Sequence, residues 1–371
     1  APNFHMVRKM PKRRYLVTTT TGRQKGRYIM KKKLLSILLT GAMVLSLAAC
    51  GGTKEEAPAE EAAEETTEEG GEAAGEELAI DVILKTTASE YWGYVLAGAE
   101  SYMAENPNVK VEVKGATSET AYDEQQNMIE TDLNSGAYDG FVIAPLQADQ
   151  VATLIANCEQ PIVAVDTNIE SPKILSFIGT SNEDAAKLGG TEAVALAKEK
   201  GWKEIKAICI SGVQGDGTAT ARLNGYKAGI NEAGGEFLED EVQYADAVAD
   251  KAVTCMEAVM QNHPDGIAII VCNNDDMAMA AARAAKGNEA YANTVFVGFD
   301  GIQSACNAIL AGEETMSVAQ EAFDMGYKAV DAVVRAIGGE TLDEFIDSGC
   351  SVVNESNAQE RLDALKGYLG E

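Results

Sequence analysis

The sequence predicts an α/β fold: parallel sheets covered by helices on both faces, arranged as two similar lobes. Three observations carry this expectation. From about residue 79 onward, short runs rich in Val and Ile alternate with amphipathic stretches of helical length, the pattern of a parallel sheet. The runs are apolar throughout, as strands buried on both faces require. The pattern also repeats. A strand near Val82, a helix, a strand near Val109, a helix and the run "DGFVI" from Asp139 recur as a strand near Ala207, a helix, "GGEFLEDEV", a helix and "DGIAI" from Asp265, in the same order and at nearly the same separation.

The chain does not begin with that pattern. Residues 1–49 hold eleven Lys or Arg and no Asp or Glu, whereas the whole chain carries −28. Residues 1–29 have no pattern of their own and read as a spurious or unstructured extension, with Met30 expected as the true start. Lys31, Lys32 and Lys33 precede the apolar run "LLSILLTGAMVLSLAA", which ends in small residues, so 30–49 has the layout of a secretory signal. The run is shorter than the roughly 20 apolar residues of a membrane span, and its acidic flank disfavours the alternative, a stop-transfer anchor. "LAAC", ending at Cys50, resembles a bacterial lipobox. That resemblance implies cleavage before Cys50 and lipidation there, several acyl chains anchoring durably where one binds only marginally. Residues 50–78 then carry eleven Glu and one Lys among Ala, Gly and Thr. Such a segment has little to bury and repels itself, so it reads as an acidic disordered linker; a fluctuating helix would serve equally as a solvated spacer.

Residues 79–371 are long enough for two lobes, because single cores stop growing at about 250–300 residues. Their strong net negative charge excludes nucleic acid as a partner and leaves the membrane reachable through the lipid anchor only. The strands, in order, are "DVILKTT", "VKVEVKG", "DGFVIAPL", "PIVAVDTN", "ILSFIG", "KAICISG", "GIAIIVCNN" and "TVFVGFDG". Helices are expected over 91–105, 124–135, 149–158, 183–200, 221–233, 252–261, 277–286 and 322–337.

Absences narrow the function. After Cys50 the one histidine is His263, in "QNHPDG" before a strand, where a surface loop is expected, so a nucleophilic triad using His is excluded. No Cys-x-x-Cys or His-x-x-x-His spacing offers a zinc site. Cys158, Cys209, Cys255, Cys272, Cys306 and Cys350 lie mostly in or beside apolar runs and are expected as buried free thiols, although export would permit disulfides. "GVQGDG" lacks the spacing of a dinucleotide loop. No catalytic residue, metal or cofactor is expected.

The positive signal is the polar residues at strand ends. In parallel sheets, ligands sit outside the carboxyl ends of the strands. Read that way, the candidates are Ser89, Tyr91 and Trp92 after the first strand, Pro145 after "DGFVIA", Asp166 and Asn168 after "PIVAV", Arg222 ending "SGVQGDGTATAR", Asn273, Asn274 and Asp275 after "IAIIVC", and Asp300 after "TVFVGF". Carboxylates accept hydroxyl hydrogens, carboxamides do both, a guanidinium donates in a fork, and aromatic faces pack the C–H side of a ring, so the set suits a neutral polyol. Asp216 and Asp276 read as turn and helix-start residues. Each chosen residue has a plainer reading as well: Asp300 as a helix cap, Asp166 as a turn residue, Arg222 as helix surface, Tyr91 and Trp92 as core.

The motifs "DGFVIAP", "PIVAVDTN", "GDGTATARLNGY", "CNNDDMA", "VGFDG" and "SVAQ" together resemble the type I periplasmic sugar-binding proteins of ABC importers, the ribose and galactose-binding group, over about residues 80–354. The resemblance implies two Rossmann-like lobes, 79–180 with 321–347 and 181–320 with 348–371, joined by a three-crossing hinge near Gly179, Gln320 and Ser348 that closes on ligand. It implies sugar contacts from Ser89, Tyr91, Trp92, Asp166, Arg222, Asn274, Asp300 and Gln320, with Asp166 and Tyr91 on one wall, Arg222, Asn274 and Asp300 on the other, and Gln320 at the hinge. Two departures point away from ribose itself: Thr167 stands where ribose binders carry arginine, and the first loop reads "ASEYW" instead of Asn-rich with two phenylalanines. A hexose, a pentose or a sugar alcohol remains open. The expectation is a monomeric, lipid-anchored solute-binding protein on the outer face of a bacterial membrane, delivering a monosaccharide or polyol to ABC permease subunits. The competing readings are a signalling receptor of the same fold, for an autoinducer-2-like ligand or a sensor kinase, and an enzyme such as a dehydrogenase.

Overall fold

The structure is a computed structural model that describes residues 77–371. The extension 1–29, the signal 30–49, Cys50 and nearly all of the linker lie outside the described residues. Runs of Val and Ile become strands, and the stretches between them wind into helices that pack back on the sheet. The first half comprises β1 (Leu78–Thr86), α1 (Glu90–Glu105), β2 (Val109–Ala116), α2 (Tyr122–Ser135), β3 (Gly140–Ile143), α3 (Ala148–Leu154), β4 (Ile162–Val165) and β5 (Ile174–Gly179). The second comprises α4 (Asn182–Glu199), β6 (Lys206–Ser211), α5 (Gly217–Glu232), β7 (Glu236–Phe237), β8 (Gln243–Tyr244), α6 (Ala249–Asn262), β9 (Ile269–Cys272), α7 (Asp275–Ala285), β10 (Val295–Asp300), α8 (Gln303–Leu310) and β11 (Met316–Gln320). The chain closes with α9 (Ala322–Ile337), β12 (Phe345–Asp347), β13 (Cys350–Asn354) and α10 (Ala358–Leu369).

Two sheets result. The first has the order β12-β5-β4-β3-β1-β2, and the second β13-β11-β10-β9-β6-β7, with β8 also paired to β6. The chain passes between the sheets after β5, after β11 and after β12. Every pair in the first sheet is parallel, whereas β13 runs antiparallel to β11 and edges an otherwise parallel second sheet. The run "GGEFLEDEV" is not one strand: only Glu236–Phe237 pairs there, because the acidic turn Glu239–Glu241 next to it has no buried residue to offer a sheet.

Alternation along β1 shows how one strand serves two cores. Val82 and Leu84 face one side with Tyr91, Tyr94 and Val95 of α1 and Met325 and Val330 of α9, while Ile83 faces the other with Ile129 of α2 and Val151 of α3. The second sheet is covered in the same way, by Tyr226 of α5 on one face and Met256 of α6 on the other. The six cysteines in the described residues are free; Cys209, Cys272 and Cys306 are buried, Cys158 and Cys255 half-buried, and Cys350 is exposed on the edge strand β13, contrary to the expectation of burial for all.

Glycine sets how closely the covering helices approach. A Cβ at Gly98 of α1 would strike the Phe323 carbonyl of α9, and one at Gly326 of α9 would strike the Val95 carbonyl of α1, so the two backbones touch where neither has a side chain. The neighbours are backbone atoms and cannot swing aside. Gly326→Ala is therefore expected to cost about 1–3 kcal/mol or more of folding stability by overpacking, read as a lowered urea midpoint. Wild-type stability in that variant would show that the helices are free to separate.

Candidate functional site

Parallel strands of a sheet end together, so the loops after β1, β3 and β4 face those after β6, β9 and β10 across the gap between the two sheets. A cavity of about 30 Å³ lies there, walled by Lys85, Ser89, Tyr91, Trp92, Glu119 and Asp166 from the first half and Thr218, Arg222, Asn273, Asn274, Asp276, Asp300 and Ile302 from the second. An open groove of about 770 Å³ adjoins it, sharing Asp166 and Thr218.

On the first wall, the Tyr91 hydroxyl donates to Asp166 Oδ1 at 3.0 Å and the Thr167 hydroxyl to Oδ2 at 2.8 Å. Burial and the Asp166 carboxylate hold the Tyr91 phenol above its usual range, so it stays a donor. Trp92 stands edge-on to Tyr91, ring centroids 5.1 Å apart, and its Nε1–H donates to Glu119 Oε1 at 3.4 Å. On the second wall, Arg222 is buried with its guanidinium 3.8 Å from the centroid of the Phe299 ring. Its Nε donates to Asn182 Oδ1 and its Nη1 to the Asn273 carbonyl, both at 2.8 Å, and Nη1 lies 3.7 Å from Asp300 Oδ1. Gln320, the last residue of β11, donates to Asp300 Oδ1 at 2.8 Å.

Of the residues expected from sequence, Ser89, Tyr91, Trp92, Asp166, Arg222, Asn273, Asn274 and Asp300 line the cavity, and Pro145 borders the adjoining groove. Asn274 lines it while capping α7, its Oδ1 accepting from the Met277 amide. Gln320 is not in the wall and reaches it through Asp300. Asn168 is not brought to the cavity: its side chain is exposed, turned to Glu170 and the Ile169 amide, and borders the open groove. His263 lies outside the cavity, paired with Glu241.

Two of the three wall aspartates have left-handed backbones, Asp166 with φ 62° and Asp300 with φ 120°. Non-glycine residues pay strain for such conformations, which cluster at functional sites. Each places a carboxyl in the cavity wall at its strand end.

Among the wall residues, Lys85, Glu119, Thr218 and Ile302 were missed by sequence reading and Asp276 was set aside as a helix-start residue; Asp216, set aside as a turn residue, borders the adjoining groove. Lys85 is buried at the carboxyl end of β1, and its Nζ lies 2.8 Å from Asp216 Oδ2 and 3.9 Å from Asp166 Oδ2, bridging the halves. Burial opposes that charge, but Asp216 and Asp166 outweigh it and hold the ammonium above its usual range. Asp216 caps α5 through the Ala219 amide, as a helix-start residue should; burial pushes its carboxyl up, but Lys85 and the donors Thr218 and Ala219 bring it down to about 2. Glu119 comes after β2 in "TSET" without any pattern to mark it. The available signal was Lys85 itself, a lysine inside the apolar run "DVILKTT".

Beneath the second wall, Asp275 is fully buried; its Oδ1 accepts from Ser317 Oγ at 2.5 Å and its Oδ2 from the Ile302 amide at 3.0 Å, which fixes the turn carrying Asp300. Burial pushes this carboxyl up to about 7. A carboxyl raised in the folded state keeps a proton that the unfolded chain has already lost above about pH 4, so stability falls as pH rises from about 4 to 7. The urea midpoint is expected to drop between pH 5 and pH 7.5 in the wild type and to drop less in Asp275→Asn. Equal pH dependence in both proteins would show that Asp275 does not hold the proton.

A model of the periplasmic binding protein domain matches residues 80–341. The D-allose-binding periplasmic protein of Escherichia coli strain K12 is 28% identical over 265 residues, 69% of this chain and 83% of that protein. The ribose import binding protein of Bacillus subtilis strain 168 is 25% identical over 276 residues, 74% of this chain and 86% of that one. A carbohydrate transporter solute binding protein from Agrobacterium radiobacter, solved with D-arabinose, superposes with a TM-score of 0.72 at 24% identity, covering 78% of this chain and 98% of the other; at that identity the likeness is one of fold. The chain therefore belongs to the periplasmic binding protein family, as a binding protein and not an enzyme.

Proposed function

We propose that this protein captures a neutral monosaccharide or sugar alcohol between its two lobes and delivers it to the permease of an ABC importer, with no covalent chemistry. The observation that carries the reading is the cavity wall itself: carboxylates, carboxamides, a guanidinium and an ammonium converge from both halves beside two aromatic rings. Hydroxyl-rich ligands need this mixture of donors and acceptors, with rings to cover their C–H faces. The family, and relatives named for D-allose binding and ribose import, support the same class. In this reading the lobes are 79–180 with 321–347 and 181–320 with 348–371. Ser89, Tyr91, Trp92, Asp166, Arg222, Asn274 and Asp300 hold the ligand, Gln320 steadies Asp300, and Lys85 joins the contact set. A cavity of about 30 Å³ walled from both sides admits a sugar ring only if the lobes swing apart and close again. Closure is then driven by contacts made to both lobes at once. The acidic segment 50–78 serves as a leash, and lipidated Cys50 holds the monomer at the outer face of the membrane.

Charge selects the ligand further. Lys85 and Arg222 already have Asp166, Asp216 and Asp300 beside them, and burial raises the Glu119, Asp276 and Asp300 carboxyls, so the wall leaves no spare cation for an anionic ligand and disfavours uronic acids and sugar phosphates. Isothermal titration of the purified chain with neutral aldoses, ketoses and polyols, and with their uronic acids and 6-phosphates, is expected to give binding only among the neutral compounds. Loss of binding to the whole neutral panel, or a preference for an acid, would overturn the reading. Asp300→Ala and Arg222→Ala are expected to weaken binding of the best neutral ligand by about 2–4 kcal/mol, because hydroxyls lose a charged partner inside a dry cleft. Wild-type affinity in both variants would remove them from the site.

A further inference from the structure

The turn after Asp300 presents four consecutive backbone N–H groups with no partner inside helix α8. Such donors at a helix start must be met by side chains, water or ligand. Ile302, the residue preceding α8, supplies no side-chain cap. All four are met by side chains from elsewhere. The Gly301 amide donates to Ser317 Oγ at 3.0 Å and the Ile302 amide to Asp275 Oδ2 at 3.0 Å, both acceptors belonging to the second half. The Gln303 amide donates to the Tyr94 hydroxyl and the Ser304 amide to Glu90 Oε1, each at 3.3 Å, and both acceptors belong to α1 of the first half. Ser304 Oγ also donates to Glu90 Oε2 at 2.5 Å, and the Tyr94 hydroxyl to Glu90 Oε1 at 2.7 Å. The cap of α8 is thus divided between the two lobes, with the carboxylate that suits a helix N-terminus contributed across the gap.

We infer that Glu90 sets ligand affinity without touching ligand: it completes the α8 cap only when the lobes are closed, and so latches closure and steadies the turn that carries Asp300. Glu90 does not line the cavity. It is a positioning residue, and the inference rests on the hinged-closure reading for its effect on affinity alone. The carboxylate and Tyr94 already share a hydrogen bond on consecutive turns of α1, so the latch is pre-formed on one lobe and needs no rearrangement to engage.

The amides themselves are the test, and Gly301 and Ile302 are its internal control. In residue-resolved hydrogen exchange on the protein saturated with the best neutral sugar or polyol of the panel, and therefore closed, Glu90→Ala is expected to accelerate exchange at Gln303 and Ser304 by about 3- to 10-fold, the range of a lost cap. Gly301 and Ile302, held from their own lobe, should keep wild-type rates. Glu90→Gln, which retains an acceptor, should lie between the two. Wild-type exchange at 303 and 304, or equal acceleration across 301–304, would overturn the latch. Titration with the best neutral sugar is expected to show Kd about 3- to 10-fold weaker in Glu90→Ala, through faster release; unchanged release would also overturn it. If the wild type binds no neutral sugar or polyol, the transport reading fails, and the latch is decided on the ligand-free protein instead: protection of 303 and 304 in the wild type that Glu90→Ala removes supports it, and exchange equal in the two proteins overturns it.

Discussion

Two walls that both end in carboxylates cannot meet in a low-dielectric gap unless a cation stands between them, and Lys85 fills that position. Its ammonium lies 2.8 Å from Asp216 of the second half and 3.9 Å from Asp166 on the first wall, the Asp166 side chain buried and Asp216 nearly so. Losing the cation would leave two buried charges unpaired, a far larger penalty than the net worth of the pair. Arg222 repeats the arrangement deeper in the second wall, its guanidinium resting on Phe299 and neighbouring Asp300. The gap is therefore kept polar and charge-compensated, conditions under which a neutral hydroxylated ligand gains from each hydrogen bond without the desolvation cost of a charged one.

Around this gap the two halves use the same devices. Each presents a left-handed aspartate at a strand end, Asp166 after β4 and Asp300 at the end of β10. Each covers one sheet face with a helix pair in glycine contact, Gly98 and Gly326 between α1 and α9, and Gly225 and Gly229 of α5 against α4. Close helix packing stiffens each half as a body. Buried Asp275 adds rigidity beneath Asp300, tying β11 to the turn through Ser317 and Ile302. Strain at the two aspartates is tolerated because those supports leave the backbone no easier path.

How far the sequence could be read depended on whether a feature was local. Helix α9 was legible to its end residues because its apolar face recurs at helical spacing and Gly338 stops it. Helices α8 and α10 were not: "QSACNAIL" is only eight residues long, and half of its cap comes from α1, more than two hundred residues away. Strands β12 and β13 escaped for a related reason, since their pairing partners β5 and β11 lie in separate sheets and their own residues are largely exposed. In the site, residues directly after apolar runs were readable because a parallel sheet sends its strand ends to one edge. Asn168 failed that rule because its side chain is bound by its own turn, and Glu119 obeyed no rule visible in one dimension.

By itself the sequence determined the alternation of strand and helix, the doubling of the pattern, the acidity that turns polyanions away, and the identity of the polar residues at strand ends, because each is a property of short windows or of summed composition. Only the tertiary structure decided that a lysine from β1 would neutralise aspartates on both walls, that one half would cap a helix of the other, and which candidates share a cavity. Those outcomes depend on the positions of groups distant in the chain, and electrostatic and hydrogen-bond energies act over a few ångströms of space whatever the separation in sequence.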